Sequence, residues 1–68
     1  MTRKHFEAIA RDISNQRLAC LGAFVSDDEE RAALDALEHT AMRLALTFKQ
    51  DNPRFDNAGF LSDCGFPV

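Results

Sequence analysis

Hydrophobic positions along this chain repeat at helical spacing in three successive segments. In the first segment the apolar stripe consists of Phe6, Ile9, Ile13 and Cys20. Thr2 is a residue type that caps helices, so the pattern predicts a helix from about residue 3 to residue 21. The polar run 14–16 interrupts the stripe, and a break near residue 15 is the alternative. The apolar pattern then resumes at Leu18, Leu21, Phe24 and Val25, and Gly22 is suited to end the helix.

The second segment has the strongest periodicity, and it predicts a helix from about residue 27 to residue 50. Its apolar seam consists of Leu34, Leu37, Ala41, Leu44 and Phe48. These positions alternate steps of three and four residues, which is heptad spacing. Ser26 and Glu29 predict a capping box, and Pro53 disfavours helical geometry at the residue before it. Further apolar side chains widen this face beyond one stripe, which favours a homodimer that uses the seam.

The third segment is a dense C-terminal run of helix-start and helix-stop signals. Asp56 is a helix N-cap type, and it predicts a short helix from about residue 57 to residue 64. Gly65 is the residue type that most often follows a helix, and Pro67 would prevent continuation. The tail is therefore expected to be ordered and docked on the rest of the chain.

Aromatic residues flank this short helix and indicate how it docks. Phe55 precedes the cap and Phe60 lies four residues into the helix, which is the spacing of a hydrophobic staple. Phe66 and Val68 are available to close the base of the bundle. Together the three segments predict an all-α domain, an antiparallel two-helix hairpin plus a short C-terminal third helix.

Length and composition limit the possible functions. The chain has 68 residues, which is one domain at most, and its net charge is −3. The basic residues near the start, Arg3, Lys4, Arg11 and Arg17, are too sparse for a phosphate-binding patch. No secretory signal is evident, and no segment approaches the ~20 apolar residues of a membrane span. We therefore expect a cytoplasmic protein with reduced thiols.

Residue types that carry chemistry are present but scattered. Cys20, Cys64, His5 and His39 could supply one Zn²⁺ site, yet no pair has the short spacing of structural zinc sites. A nucleophilic pair of Cys64 with a histidine lacks a third group to orient it. We therefore predict no cofactor, no metal and no enzymatic activity. The acidic run 27–30 suits the positive end of a helix dipole, and contact with a basic partner is the alternative.

Both ends of the chain resemble a group of small uncharacterised proteins of bacteriophages and prophages. The resemblance lies in the opening 1–7 and in a tail of the form Asn-Pro-Arg-Phe-Asp, Phe-Leu and Cys-Gly, at positions 52–56, 60–61 and 64–65. Such tails often carry basic residues where this chain has Asn57, Ala58 and Gly59. The group has no assigned function, so the resemblance implies a phage accessory protein in a bacterial host and carries over no site residue.

These observations favour a non-enzymatic protein that binds a host or phage protein and modulates or inhibits a host factor or host defence system. The alternative is a nucleic-acid-associated accessory factor that acts as a dimer. The residues expected to contact a protein partner are Arg54, Phe55, Phe60 and Phe66. The exposed remainder of the second helix is a further candidate surface.

Overall fold

The computed structural model describes residues 2–66 and contains three α-helices, so the predicted all-α fold is confirmed. The helices are α1 (Arg3–Cys20), α2 (Asp27–Asp51) and α3 (Asn57–Asp63). Each of them ends within one residue of the position that the pattern predicts. Helix α1 is continuous through Ser14–Gln16, so the alternative of a break there is wrong. The predictions for Pro67 and Val68 lie outside the described residues.

Helices α1 and α2 form an antiparallel hairpin, and α3 packs against both of them. The Phe6 ring near the start of α1 lies 4.8 Å from the Phe48 ring near the end of α2. At the opposite end, the Gly22 backbone N–H donates to Glu30 Oε1 at 2.6 Å, which ties the connecting loop to α2. Gly22 has φ of +77°, a left-handed conformation that glycine adopts without strain. The prediction that α1 ends before Gly22 is therefore confirmed.

The hydrophobic core occupies only the end of the hairpin that α3 covers. Its buried members are Ala10, Ala41, Ala45, Phe48, Phe55, Phe60, Cys64 and Phe66. No described residue between positions 11 and 40 is fully buried. Alanines at the contact of α1 with α2 allow the two backbones to approach closely, while phenylalanines fill the wider space beneath α3. The other end of the hairpin therefore consists of α1, α2 and their connecting loop alone, and we call it the thin end.

Local caps fix the helix starts. Ser26 Oγ accepts from the Glu29 backbone N–H at 3.1 Å, so this half of the predicted capping box is confirmed. Within residues 2–66 the Glu29 side chain makes no return hydrogen bond to the Ser26 backbone, so the other half of the prediction is wrong. Thr2 is the N-cap of α1, as predicted, but the part that His5 plays in this cap was not predicted. There the Thr2 backbone N–H donates to His5 Nδ1 at 3.1 Å, so a histidine takes the place that glutamate usually has in a capping box.

The heptad seam of α2 faces the other two helices of its own chain. Ala41 is fully buried and Phe48 nearly so, while Leu37 and Leu44 pack at the edge of the core. Leu34 is half-buried. The homodimer stays a prediction, and only the half-buried leucines of the seam leave surface for a second copy.

Candidate protein-interaction surfaces

The segment that joins α2 to α3 is a β-turn built on Asn52. The Phe55 backbone N–H donates to the Asn52 carbonyl oxygen at 2.9 Å, and the Arg54 backbone N–H donates to Asn52 Oδ1 at 3.1 Å. Lys49 Nζ donates to the Phe55 carbonyl oxygen at 3.0 Å, which links the turn to the last turn of α2. This arrangement leaves the Arg54 side chain exposed at the surface.

The phenylalanines that were expected to contact a partner lie in the core. Asp56 Oδ1 accepts from the Gly59 backbone N–H at 2.9 Å, and the Phe55 and Phe60 ring centroids are 5.6 Å apart. The predicted cap and hydrophobic staple are therefore confirmed. The same two rings also contact Phe6 and Phe48 in tilted or edge-to-face geometry. Phe55, Phe60 and Phe66 keep between 4 and 7% of their surface exposed, so a partner has little access to them in this conformation.

The end of α3 is a Schellman motif. The Phe66 backbone N–H donates to the Leu61 carbonyl oxygen at 3.1 Å, and the Gly65 N–H donates to the Ser62 carbonyl oxygen at 2.9 Å. Gly65 has φ of +97°, which confirms its predicted place after the helix. The Arg17 guanidinium lies 5.9 Å from the centre of the Phe66 ring, a cation–π contact that the sequence did not indicate.

An open groove of about 460 Å³ runs beside the tail turn, between α1 and the start of α3. Its charged lining residues are Arg3, Glu7, Arg54, Asp56 and Asp63. Arg3 and Glu7 form an exposed ion pair, with Nε and Oε1 3.1 Å apart. Because its lining contains both positive and negative side chains, the groove has no strong preference for a ligand of either charge.

The scattered cysteines and histidines do not converge on one site. Cys64 is fully buried, and burial, followed by the negative charge of Asp63, raises the pKa of its thiol from 9.0 to about 11. Cys20 is half-buried at the far end of α1, and both thiols are free. His5 serves as a cap, and His39 is exposed. Among residues 2–66, no cluster of three or more metal-ligating side chains exists.

Two of the four basic residues considered for nucleic-acid contact have other roles in the fold. Arg3 pairs with Glu7, and Arg17 covers the Phe66 ring. Lys4 and Arg11 are exposed on α1. Helix α1 therefore offers few unengaged basic side chains that could contact the phosphate backbone of a nucleic acid.

The thin end of the hairpin carries the most conspicuous apolar surface of the described chain. We call it the hairpin tip, and it consists of Leu18, Leu21, Phe24 and Val25. Leu18 is 59% exposed and Val25 is fully exposed, while Leu21 and Phe24 keep at least 40% of their surface in solvent. The residues of the tip are neighbours at the end of α1 and in the loop that follows. The sequence showed their apolar pattern but not their exposure.

A smaller apolar pair lies on the side of α2. Met42 and Leu46 are about half exposed and one helical turn apart, so they lie on the same side of the helix. They belong to the exposed remainder of α2, which was predicted above as a candidate surface for a protein partner. The hydrophobic core extends along α2 beside this pair but does not reach the hairpin tip.

Comparisons of the chain with protein-family models, with curated proteins and with solved structures gave no match. The resemblance to small phage proteins therefore stays a prediction. No helix in the described part of the chain is both long enough and apolar enough to cross a membrane. The surfaces of the molecule are thus the basis for a functional proposal.

Proposed function

We propose that this protein is a small, non-enzymatic binding module that uses the hairpin tip to contact another protein. The observation that carries the proposal is the exposure of four large apolar side chains at one end of a hairpin whose core lies at the other end. Small folded proteins gain stability by burying such residues, and several exposed apolar side chains grouped in one patch are typical of an interaction site. Phe24 is an aromatic anchor of the kind that dominates binding energy.

The resemblance of the chain's ends to small phage proteins supports a more specific form of this proposal. In that form, the protein acts in the cytoplasm of a bacterial host, where it modulates or inhibits a host factor or a host defence system. A rigid base with an exposed end suits this role because binding at the tip requires no rearrangement of the phenylalanine core.

The proposal is tested by comparing two paired variants in affinity capture from bacterial lysate. In the tip variant, F24S/V25S, binding surface is removed from the hairpin tip. The matched control, M42S/L46S, removes a similar amount of exposed apolar surface from the side of α2. The proposal expects a protein that the parent and the control retain and the tip variant loses. Retention of the same proteins by all three would overturn it.

A further inference from the structure

From the charges around the hairpin tip, we infer that its partner is a basic amphipathic segment, an α-helix with apolar residues on one side and Lys or Arg beside them. This inference rests on the proposed function and specifies the partner. Residues 18–36, which contain the tip and the first turns of α2, carry five carboxylates and one arginine. An apolar surface bordered by negative charge is complementary to an apolar stripe bordered by positive charge.

The carboxylates nearest the tip are available to a partner. Asp27, Asp28 and Glu29 are exposed, and within residues 2–66 none of them forms an ion pair. Glu30 differs because its carboxylate accepts the hydrogen bond from Gly22 and holds the loop. We call Asp27, Asp28 and Glu29 the acidic rim. The rim begins two residues after Val25, so one bound helix can reach both surfaces.

The same charges argue against a second copy of this chain at the tip. In a symmetric pair each acidic rim would face its equivalent, and like charges at close range oppose association. The basic side chains at the other end of α1 could meet the rim of another copy. However, the exposed residues next to these basic side chains, His5 and Glu7, are polar, so such a contact would leave the apolar tip uncovered.

The rim also disfavours a membrane surface. Exposed apolar residues at a loop can insert between lipids, but bacterial and other cytoplasmic leaflets carry anionic headgroups. Three free carboxylates beside the tip would be repelled by such a surface, whereas a cationic peptide would be attracted. A basic helix is thus the occupant that fits both the hydrophobicity and the charge.

The test measures binding of two fluorescent synthetic helical peptides to the full-length protein. The peptides share the same leucine stripe, and one has lysine and the other glutamate on the remaining positions. The protein is used as the parent and as three variants. These are the tip variant F24S/V25S, a rim variant D27N/D28N/E29Q, and a control D12N/D51N/D63N that changes the net charge equally at residues outside the tip and the rim. Circular dichroism establishes that each variant is folded.

We expect the parent to bind the lysine peptide and not the glutamate peptide. The tip variant should lose this binding, and the rim variant should weaken it about tenfold, which corresponds to three exposed ion pairs of about 0.5 kcal/mol each. The control should bind like the parent. Raising the salt concentration should weaken binding to the parent more than to the rim variant.

Failure of this inference differs from failure of the proposed function. If the lysine peptide does not bind, or binds the rim variant as tightly as the parent, the basic partner is wrong. A tip-dependent capture from lysate would then still support protein binding. Equal binding of both peptides, tip-dependent self-association in sedimentation, or tip-dependent binding to anionic vesicles would each overturn the inference.

Discussion

The ring of Phe60 stands nearly perpendicular to the ring of Phe48, at 86° with the centroids 5.6 Å apart. This contact joins the seven-residue helix α3 to the long helix α2, and Phe55 completes the group from the tail turn. A seven-residue helix is too short to be stable alone. The aromatic contacts therefore keep α3 folded, and α3 in turn covers the core.

We predict that Phe60→Ala destabilises the protein strongly. Removing a buried phenylalanine ring costs about 3–5 kcal/mol, a large part of the roughly 5–15 kcal/mol that stabilises a typical domain. Phe24→Ala is the matched control, since it removes the same ring from the exposed hairpin tip and should change stability by less than about 0.5 kcal/mol. Urea unfolding followed by circular dichroism measures both. Equal midpoints for the two variants would contradict the position of the core.

The two glycines with left-handed backbone give a second prediction. A Cβ on Gly65 would lie 3.3 Å from Cδ of Arg17, whereas a Cβ on Gly22 would meet nothing within 4 Å. Gly22→Ala should cost about 1–2 kcal/mol, because only the left-handed conformation opposes it. Gly65→Ala should cost more, because Arg17 must also move away from the Phe66 ring. Thermal unfolding of the two variants tests the order, and a reversed order would refute this account.

Close packing of α1 on α2 gives a third prediction. Ala41 is fully buried in the core, so Ala41→Leu adds side-chain volume where none is free. Overpacking of this kind costs about 1–3 kcal/mol. Ala32→Leu makes the same change at an exposed position of α2 and should be nearly neutral. Denaturant unfolding distinguishes the two, and a neutral Ala41→Leu would mean that α1 and α2 are further apart than described.

The caps, turns and helix lengths could be predicted from the sequence because they depend on neighbours along the chain. Asp56, Gly65 and the Phe55–Phe60 staple each act within a few residues. The distribution of burial could not be predicted in this way. An apolar stripe indicates which side of a helix is covered, but not whether its own chain or another molecule covers it. For that reason the apolar pattern of α1 did not distinguish buried Ala10 from exposed Leu18.

The buried thiol of Cys64 makes stability depend on pH at the alkaline end. Its pKa is raised to about 11 from 9.0, so between these values the unfolded chain loses the thiol proton while the folded chain retains it. The free energy of unfolding should therefore be unaffected by this group below pH 9.0 and decrease as pH rises toward about 11. Melting temperatures of the parent and Cys64→Ala across this range test the effect. The variant should show a shallower decrease, and identical pH profiles would contradict the burial of Cys64.

The concentration of the core at one end also makes the length of the hairpin adjustable. Beyond Arg17 on α1 and before Leu37 on α2, no described residue belongs to the core or packs against it, so the length of this outer part is not fixed by packing at the base. Adding one heptad to this outer part of both helices would move the tip by about 10 Å and preserve the side on which it lies. Designed variants could thus differ in the distance between base and tip while keeping the same base.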